Sequence, residues 1–291
     1  MKKFFCVILC LLLCGCSVQP VPKASSRATL PPEPSTQVTT QSPTQVPTQA
    51  PTLPPDPVDL LLSGLTAEEK VGQLFIYTIA PVNTKRNLEL LREAIDTYKV
   101  GGLLFSGGKM QNQVELTNRA QRQAKVPVMI TFDGEWGLAM RLRGTPVFPR
   151  NMVLGCIRDN RLIYEYGREV ARQCRQIGVQ VNFAPVADVN INPKNPVINT
   201  RSFGESPFNV ANKVVAYSKG LEDGGVLSVS KHFPGHGDTD VDSHKALPVL
   251  PFTRARLDSI ELYPFRKAIR AGLGGMMVGH LEVPTIEPQK G

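Results

Sequence analysis

Cysteine is scarce in the part of the sequence that could fold, and this scarcity argues against a domain held together by disulfides. Four of the six cysteines fall within the first sixteen residues, and only Cys156 and Cys174 follow them. Small secreted domains that depend on disulfides carry several bridges at characteristic spacings. A single bridge between Cys156 and Cys174 remains an alternative, but we expect two buried thiols.

The sequence also has no cluster of lysine and arginine interleaved with aromatic residues. Its formal charge is +8, from 33 Lys+Arg against 25 Asp+Glu, and the basic residues are spread along the chain. Nucleic-acid-binding domains concentrate their basic residues on one face or along one helix. We therefore expect no nucleic acid among the partners, and we interpret the charge as the surface charge of an envelope protein.

The apolar run at residues 4–13 is too short for a permanent transmembrane helix, which needs about 20 residues. Two lysines precede it, as in an export signal. The run ends in L-C-G-C at 13–16, which resembles a bacterial lipobox and predicts lipidation of Cys16. An ordinary secretory signal cleaved nearby is the alternative. The sequence thus predicts a lipoprotein signal peptide at 1–16 and an exported, membrane-anchored lipoprotein of the bacterial cell envelope.

Large apolar residues are also few at 17–57, where Pro, Thr, Ser and Gln dominate. Such a segment cannot bury enough surface to offset the entropy of ordering it. Its prolines favour an extended, semi-rigid tether. We therefore predict a linker at 17–57 and a folded domain at 58–291.

Strand and helix patterns alternate through that domain. Strands are predicted at 73–78, 101–105, 127–132, 179–186, 226–230 and 275–278, and helices at 85–98, 111–123, 160–177, 207–223 and 253–271, the last bent at Pro264. Alternation of this kind predicts a parallel sheet with helices outside it. No glycine-rich phosphate fingerprint is present, which favours a (β/α)8 TIM-barrel type over a doubly wound sheet. Only about six β/α units fit in the chain, whereas a complete barrel has eight.

Polar residues follow the predicted strands, at the end where parallel barrels place their active sites. The pairs are Asp133 with Glu135, Asp188 with Asn190 and Lys231 with His232, and His280 follows the sixth strand. For Asp188 and His280, a supporting role behind the site is an equal alternative.

The stretch at 231–244, K-H-F-P-G-H-G-D-T-D-V-D-S-H, holds three of the four histidines and directly follows a predicted strand. Its glycines and proline predict a loop. A solvated polar turn is the simplest alternative, but turn formation alone does not call for three histidines and a lysine. We interpret the stretch as the chemical centre of the chain.

Within this stretch, Asp242 and His244 are the candidates for proton transfer. A carboxylate beside an imidazole stabilises its protonated form and orients it, as a general acid/base requires. A zinc site is the main alternative, because imidazole nitrogens and a carboxylate at this spacing could act as metal ligands. Its ligands would be His232, His236, Asp238 and His244.

The same stretch resembles the signature of bacterial glycoside hydrolase family 3 β-N-acetylglucosaminidases. Three further segments match that family in order and spacing, and they are D-G-E-W-G at 133–137 with Met140-Arg141, N-F-A-P-V-A-D-V at 182–189, and N-T-R-S-F-G at 199–204. The resemblance runs from about residue 65 to 286 and implies a TIM barrel.

The resemblance implies a role for each matching residue. Terminal N-acetylhexosamine would be held by five side chains, namely Asp133, Arg141, Arg201, Lys231 and His232. His244 would be the acid/base and Asp242 its partner, in a retaining mechanism without metal or cofactor. Cell-wall glycan fragments are the expected substrates, given the predicted envelope location.

The family resemblance also implies a nucleophilic aspartate on the strand after the one that ends near His280. No residue of this chain matches the context of that aspartate, so we expect the chain by itself to be inactive and poorly soluble. A non-catalytic sugar-binding fragment, a β-glucosidase and a metal-dependent hydrolase remain alternatives.

Overall fold

The computed structural model describes residues 54, 56–240 and 247–288. The predicted signal peptide with Cys16, most of the predicted linker, and the candidates Asp242 and His244 lie outside the described residues. Within the described ranges, no helix combines the length and the apolar character that crossing a membrane requires.

Six parallel strands form one curled, half-barrel sheet, with helices covering it. The strands are β1 (Ile76–Ile79), β2 (Gly102–Phe105), β4 (Met129–Phe132), β6 (Val181–Asn182), β7 (Leu227–Phe233) and β8 (Gly275–Val278), and they pair in chain order. Two short strands, β3 (Gly108–Lys109) and β5 (Leu142–Arg143), form a separate parallel pair. The prediction of a TIM-barrel type with about six β/α units is confirmed for the described part of the chain.

Two helices precede the first strand, and the others occupy connections between later strands. They are α1 (Pro57–Ser63), α2 (Ala67–Gly72), α3 (Lys85–Arg92, continued by a π turn at Glu93–Thr97), α4 (Met110–Gln123), α5 (Asn151–Gly155), α6 (Asn160–Gln176), α7 (Pro207–Asp223), α8 (Arg254–Ser259) and α9 (Leu262–Arg270). The capping-box pattern in the sequence is realised at α2, where the Thr66 hydroxyl accepts from the Glu69 amide and the Glu69 carboxylate accepts from the Thr66 amide.

Helices α6 and α7 pack closely behind the site because two glycines face each other. A side chain on Gly167 would collide with the Tyr217 carbonyl, and one on Gly220 would collide with the Tyr164 carbonyl. Tyr217 is fully buried beside this contact, and its hydroxyl donates to the Gly134 carbonyl in the loop after β4 at 3.3 Å. The helix layer thereby supports a loop that carries site residues.

The fourth and fifth predicted strands differ from the structure in length. β6 covers only Val181–Asn182, because Pro185 has no amide to donate and the Ala184 amide turns back to the Asn182 carbonyl. β7 is longer than predicted, since β8 pairs with it beyond Ser230. Lys231 and His232 therefore lie on the strand end, and the prediction that they begin a loop was wrong.

Two further predictions need correction. The helix predicted at 253–271 is divided into α8 and α9, and the break falls before Pro264, which occupies the first turn of α9, where no amide donor is needed. Both remaining cysteines are free, but only Cys174 is buried, while Cys156 is exposed. Burial raises the pKa of the Cys174 thiol to about 12.

Candidate active site

A cavity of about 660 Å³ opens at the carboxyl ends of the parallel strands. All five residues predicted to bind sugar line it, and they are Asp133, Arg141, Arg201, Lys231 and His232. A larger groove of about 830 Å³ lies outside, on α6 and α7, and it is lined mainly by charged side chains with none of these five. The cavity at the strand ends is therefore the candidate site.

Asp133, which directly follows β4, lies between two cations. Its carboxylate accepts from Lys231 Nζ at 2.5 Å and from the Arg141 guanidinium. Burial acts to raise the pKa of Asp133, but the charge of Lys231 and the hydrogen bonds from both cations outweigh it and hold that pKa below its ordinary value. Asp133 is therefore an ionised acceptor at neutral pH.

Glu135 forms the inner layer of the site and is completely buried. Its carboxylate contacts Lys231 Nζ at 2.8 Å and Arg201 Nη2 at 2.6 Å. Burial acts to raise the pKa of Glu135, but Lys231 and Arg201 lower it below its ordinary value. The buried carboxylate thus fixes the positions of two cations that line the cavity.

The loop that carries Asp133 and Glu135 is held by a side-chain amide from the next strand of the sheet. Asn182 on β6 accepts from the Gly134 amide at 2.9 Å and donates to the Gly134 carbonyl at 3.2 Å. This two-point contact satisfies the backbone of the loop and restricts its movement.

His232 is oriented by Asp188, which is completely buried after β6. His232 Nδ1 lies 2.7 Å from Asp188 Oδ2, and His232 Nε2 lies 3.4 Å from Arg201 Nη2. A guanidinium can only donate, so Nε2 is the acceptor and Nδ1 carries the proton toward the carboxylate.

Asp188 also accepts from the backbone. The His236 amide donates to Asp188 Oδ1 at 2.7 Å, and the His232 amide approaches at 3.2 Å. Burial acts to raise the pKa of Asp188, but the contact with His232 and these hydrogen bonds lower it below its ordinary value. Asp188 is therefore a structural anion that couples β7 to the segment after it.

Opposite charges balance around the cavity. Three carboxylates, those of Asp133, Glu135 and Asp188, lie among three permanent cations, those of Arg141, Arg201 and Lys231. Such an array offers directed donors and acceptors with little net charge, which suits a neutral polyhydroxylated ligand better than an anion.

The candidate zinc ligands have other partners where they are described. His232 Nδ1 contacts Asp188, His236 Nδ1 lies 2.7 Å from the Thr239 hydroxyl, and Asp238 pairs with Arg256. Among residues 54, 56–240 and 247–288, no group of three or more His, Cys, Asp or Glu side chains could hold a metal ion.

Three residues that the prediction left outside the binding set lie at or behind the cavity, and they are Glu135, Asp188 and His236. Glu135 and Asp188 follow predicted strands and lie within segments that match the family, but neither was assigned to binding the sugar. His236 was considered only as a candidate zinc ligand, yet it lines the cavity. His280, after β8, also lines the cavity but is exposed.

The half-barrel sheet and the polar cavity at its carboxyl edge define a domain of the TIM-barrel type. The chain belongs to glycosyl hydrolase family 3, whose N terminal domain matches residues 66–290. This match confirms the resemblance deduced from the four sequence segments.

Similar proteins carry hexosaminidase names. Over 214 residues the chain is 38% identical to Beta-hexosaminidase A of Pseudoalteromonas piscicida, covering 69% of this chain and 36% of that protein. Over 231 residues it is 33% identical to Beta-hexosaminidase LpqI of Mycobacterium tuberculosis, covering 76% of this chain and 56% of that protein. The chain thus spans between about a third and somewhat over half of the length of these relatives.

Solved structures show the same likeness in three dimensions. A glycoside hydrolase family 3 beta-N-acetylglucosaminidase from Paenibacillus sp. superposes with a TM-score of 0.73 at 38% identity, covering 78% of this chain and 44% of that one. M. tuberculosis LpqI superposes with a TM-score of 0.67 at 30% identity, covering 77% of this chain and 64% of that one.

Proposed function

We propose that the complete gene product is a retaining β-N-acetylhexosaminidase. It releases terminal, non-reducing β-linked N-acetylhexosamine from glycans, and fragments of peptidoglycan are the proposed natural substrate. One observation carries the proposal most directly. A buried, charge-balanced array of Asp133, Glu135, Lys231 and Arg201 opens onto a cavity at the strand ends of a family 3 domain.

In this proposal, the described side chains bind and orient the sugar. Asp133 accepts hydrogen bonds from hydroxyls, while Lys231, Arg141 and Arg201 donate to hydroxyl and acetamido oxygens. His232, oriented by Asp188, adds a further ring nitrogen at the cavity wall. Directed bonds of this kind hold the reacting carbon of the sugar in one position.

Proton transfer is assigned to His244, with Asp242 stabilising its charged form. His244 would protonate the leaving oxygen in the first step and deprotonate the attacking water in the second. The nucleophilic carboxylate is assigned to no residue of this chain. Asp133 and Asp188 are unsuited to that role, because cations and backbone amides occupy their oxygens.

We predict that His244→Ala lowers kcat of the complete gene product on an aryl N-acetyl-β-glucosaminide by about 10²–10⁴-fold, because a general acid/base contributes on that scale. Turnover is followed by release of the aryl alcohol, and the anomer of the released sugar is identified by proton NMR. Unchanged turnover in the variant, or inversion at the anomeric carbon, would contradict the assignment.

The alternatives give different results in the same assay. A β-glucosidase would prefer the aryl β-glucoside, a metal-dependent hydrolase would lose activity in EDTA, and a sugar-binding protein would bind N-acetylglucosamine without turnover. Robust turnover by residues 17–291 alone would show that the nucleophile lies within this chain.

We further propose that the protein is exported and anchored in the bacterial cell envelope through a lipid on Cys16. The L-C-G-C segment after the apolar run supports this location. A clickable fatty acid should label the wild-type protein in cells, and Cys16→Ala should abolish that labelling. Labelling that persists in the variant would rule out Cys16 as the lipidated residue.

A further inference from the structure

Arg256 on α8 lies between two carboxylates that belong to different parts of the chain. Its Nη2 donates to Asp238 Oδ2 at 2.7 Å and to Glu261 Oε1 at 3.0 Å. Its guanidinium also lies over the Phe252 ring, 4.6 Å from the centroid. This cluster is outside the cavity, and none of the four sequence segments that match the family contains Arg256 or Glu261.

The two carboxylates of the Arg256 cluster are largely buried, while the Arg256 side chain is 30% exposed. The Glu261 side chain is 3% exposed and that of Asp238 is 17% exposed. Burial raises the pKa of Glu261 above its ordinary value, despite the opposing effect of Arg256. An ion pair removed from water to this extent restrains geometry more strongly than a solvated one.

Through this cluster, α8 and α9 contact the segment at 234–240, which directly follows β7. Arg256 contacts the segment at Asp238. Gly235 packs directly against Glu261, because a Cβ added to Gly235 would lie 2.9 Å from the Cβ of Glu261. On the opposite side, a side chain on Gly237 would collide with the Val189 carbonyl. The 234–240 segment is therefore confined between the Arg256 cluster and the backbone at Val189, in the segment that follows β6.

His236, at the middle of the 234–240 segment, connects this confinement to the site. Its amide donates to Asp188 Oδ1 at 2.7 Å, its carbonyl accepts from Asn195 at 2.7 Å, and Asp188 in turn orients His232. A displacement of the segment would lengthen the bond to Asp188 and release the His232 ring.

We propose that Arg256 is a positioning residue that, through Asp238 and Glu261, holds the 234–240 segment so that His236 and Asp188 keep His232 oriented in the cavity. This inference rests on the proposed function, because it concerns the same sugar-binding site.

The test compares Arg256→Met with Arg254→Met in the complete gene product. Arg254 lies on the same helix but is mostly exposed and pairs with Asp258, away from the Arg256 cluster. We expect Arg256→Met to lower kcat/KM on the aryl N-acetyl-β-glucosaminide by about 10–100-fold, since misplacement of a binding group by about 1 Å costs on that scale. Arg256→Lys should recover part of the loss, and Arg254→Met should match the wild type.

A spectroscopic measurement separates positioning from a general loss of stability and does not depend on turnover. The proton on His232 Nδ1 is followed by nitrogen-15 histidine NMR, and its signal is assigned by its loss in His232→Gln. We expect Arg256→Met to shift or broaden this signal while circular dichroism stays unchanged. Should Arg256→Met fail to fold, Asp238→Asn tests the same restraint at the more exposed of the two carboxylates.

Unchanged kcat/KM together with an unchanged His232 signal in Arg256→Met would overturn the inference. The same holds if Arg254→Met has an equal effect. If the wild-type product turns over no N-acetylhexosaminide, the proposed function fails, and the His232 signal still decides whether Arg256 positions the site.

Discussion

At the residue scale, the site depends on buried carboxylates that hold cations in place. Glu135 is completely buried, and Lys231 has a side-chain exposure of 3%. Burying the charge of Glu135 or of Lys231 alone would be costly, because the remaining charge would have no partner. Each of the two charges therefore compensates the burial of the other. The binding residues that line the cavity therefore depend on a carboxylate behind them.

We predict that Glu135→Gln destabilises the protein by about 3–5 kcal/mol, because it removes one partner from a buried network of charges. Glu169→Gln is the matched control, since Glu169 pairs with Arg172 at 2.7 Å on the surface and should cost less than about 1 kcal/mol. Urea unfolding of the complete gene product measures both. Equal effects in the two variants would show that burial of Glu135 adds nothing.

The same carboxylates predict a dependence of stability on pH. The pKa values of Asp133, Glu135 and Asp188 are lowered from ordinary values of 3.8, 4.5 and 3.8. The unfolded chain therefore takes up protons before the native protein does. The stability that these groups contribute is present above about pH 4.5 and is lost as pH falls through their folded pKa values.

Glu261 acts in the opposite direction, because its raised pKa favours the native protein at low pH. Carboxyls with a lowered pKa, which include Asp133, Glu135, Asp188 and Glu169, outnumber Glu261 and predict a net loss of stability on acidification. Urea unfolding between about pH 6 and pH 3 should show the free energy of unfolding decreasing, with a smaller slope in Glu135→Gln. If the free energy of unfolding falls with pH at the same slope in the wild type and in Glu135→Gln, Glu135 does not contribute to the pH dependence of stability.

At the scale of elements, the strand ends and the segments after them are positioned by contacts between backbones. Gly237 packs against the Val189 backbone so closely that no side chain fits between them. Because β6 and β7 are neighbours in the sheet, this contact joins the segments that leave their carboxyl ends. The arrangement of Asp188 and His232 follows from it.

Gly237→Ala should therefore destabilise the protein by about 1–3 kcal/mol, the usual cost of overpacking, and should also lower turnover. Gly64→Ala is the control, since its added methyl would make only an ordinary contact, 3.5 Å from the Leu61 carbonyl. Thermal unfolding and the aryl glycoside assay measure the two effects. Wild-type stability in Gly237→Ala would mean that the two segments can separate freely.

At the scale of the whole molecule, β1 and β8 each pair on one side only within the described part of the chain. Large apolar side chains are exposed near both strands, including Leu74 and Phe75 before β1 and Val278 at the end of β8. Unpaired parallel edges beside apolar surface favour association with other chains.

We predict that residues 58–291, produced alone, associate into oligomers, as measured by size-exclusion chromatography with light scattering. Leu74→Lys should reduce this association, because Leu74 is 83% exposed directly before the β1 edge. Val147→Lys is the control, at a residue that is 82% exposed but lies in the loop between β5 and α5, outside the six-stranded sheet. A monomeric wild-type segment, or equal effects of the two lysines, would count against edge pairing.

The elements that the sequence predicted best were those with strong local patterns. α7 was placed at its observed ends because serine caps it, proline opens it and glycine follows it, and β8 was placed with the same accuracy. The ends of β6 and β7 were missed, since pairing with a neighbouring strand decided them. The bend expected at Pro264 fell earlier, because proline in a first turn breaks no hydrogen bond.

The sequence by itself determined the fold class and five of the side chains that line the cavity, because both rest on local patterns and on motifs a few residues long. Only the tertiary structure decided which groups hold those side chains in place. Glu135 meets Arg201 across 66 positions of the sequence, and Asp188 meets His232 across 44. Contacts over such distances arise from how strands are arranged side by side and how deeply each charge is buried, and no local pattern records either.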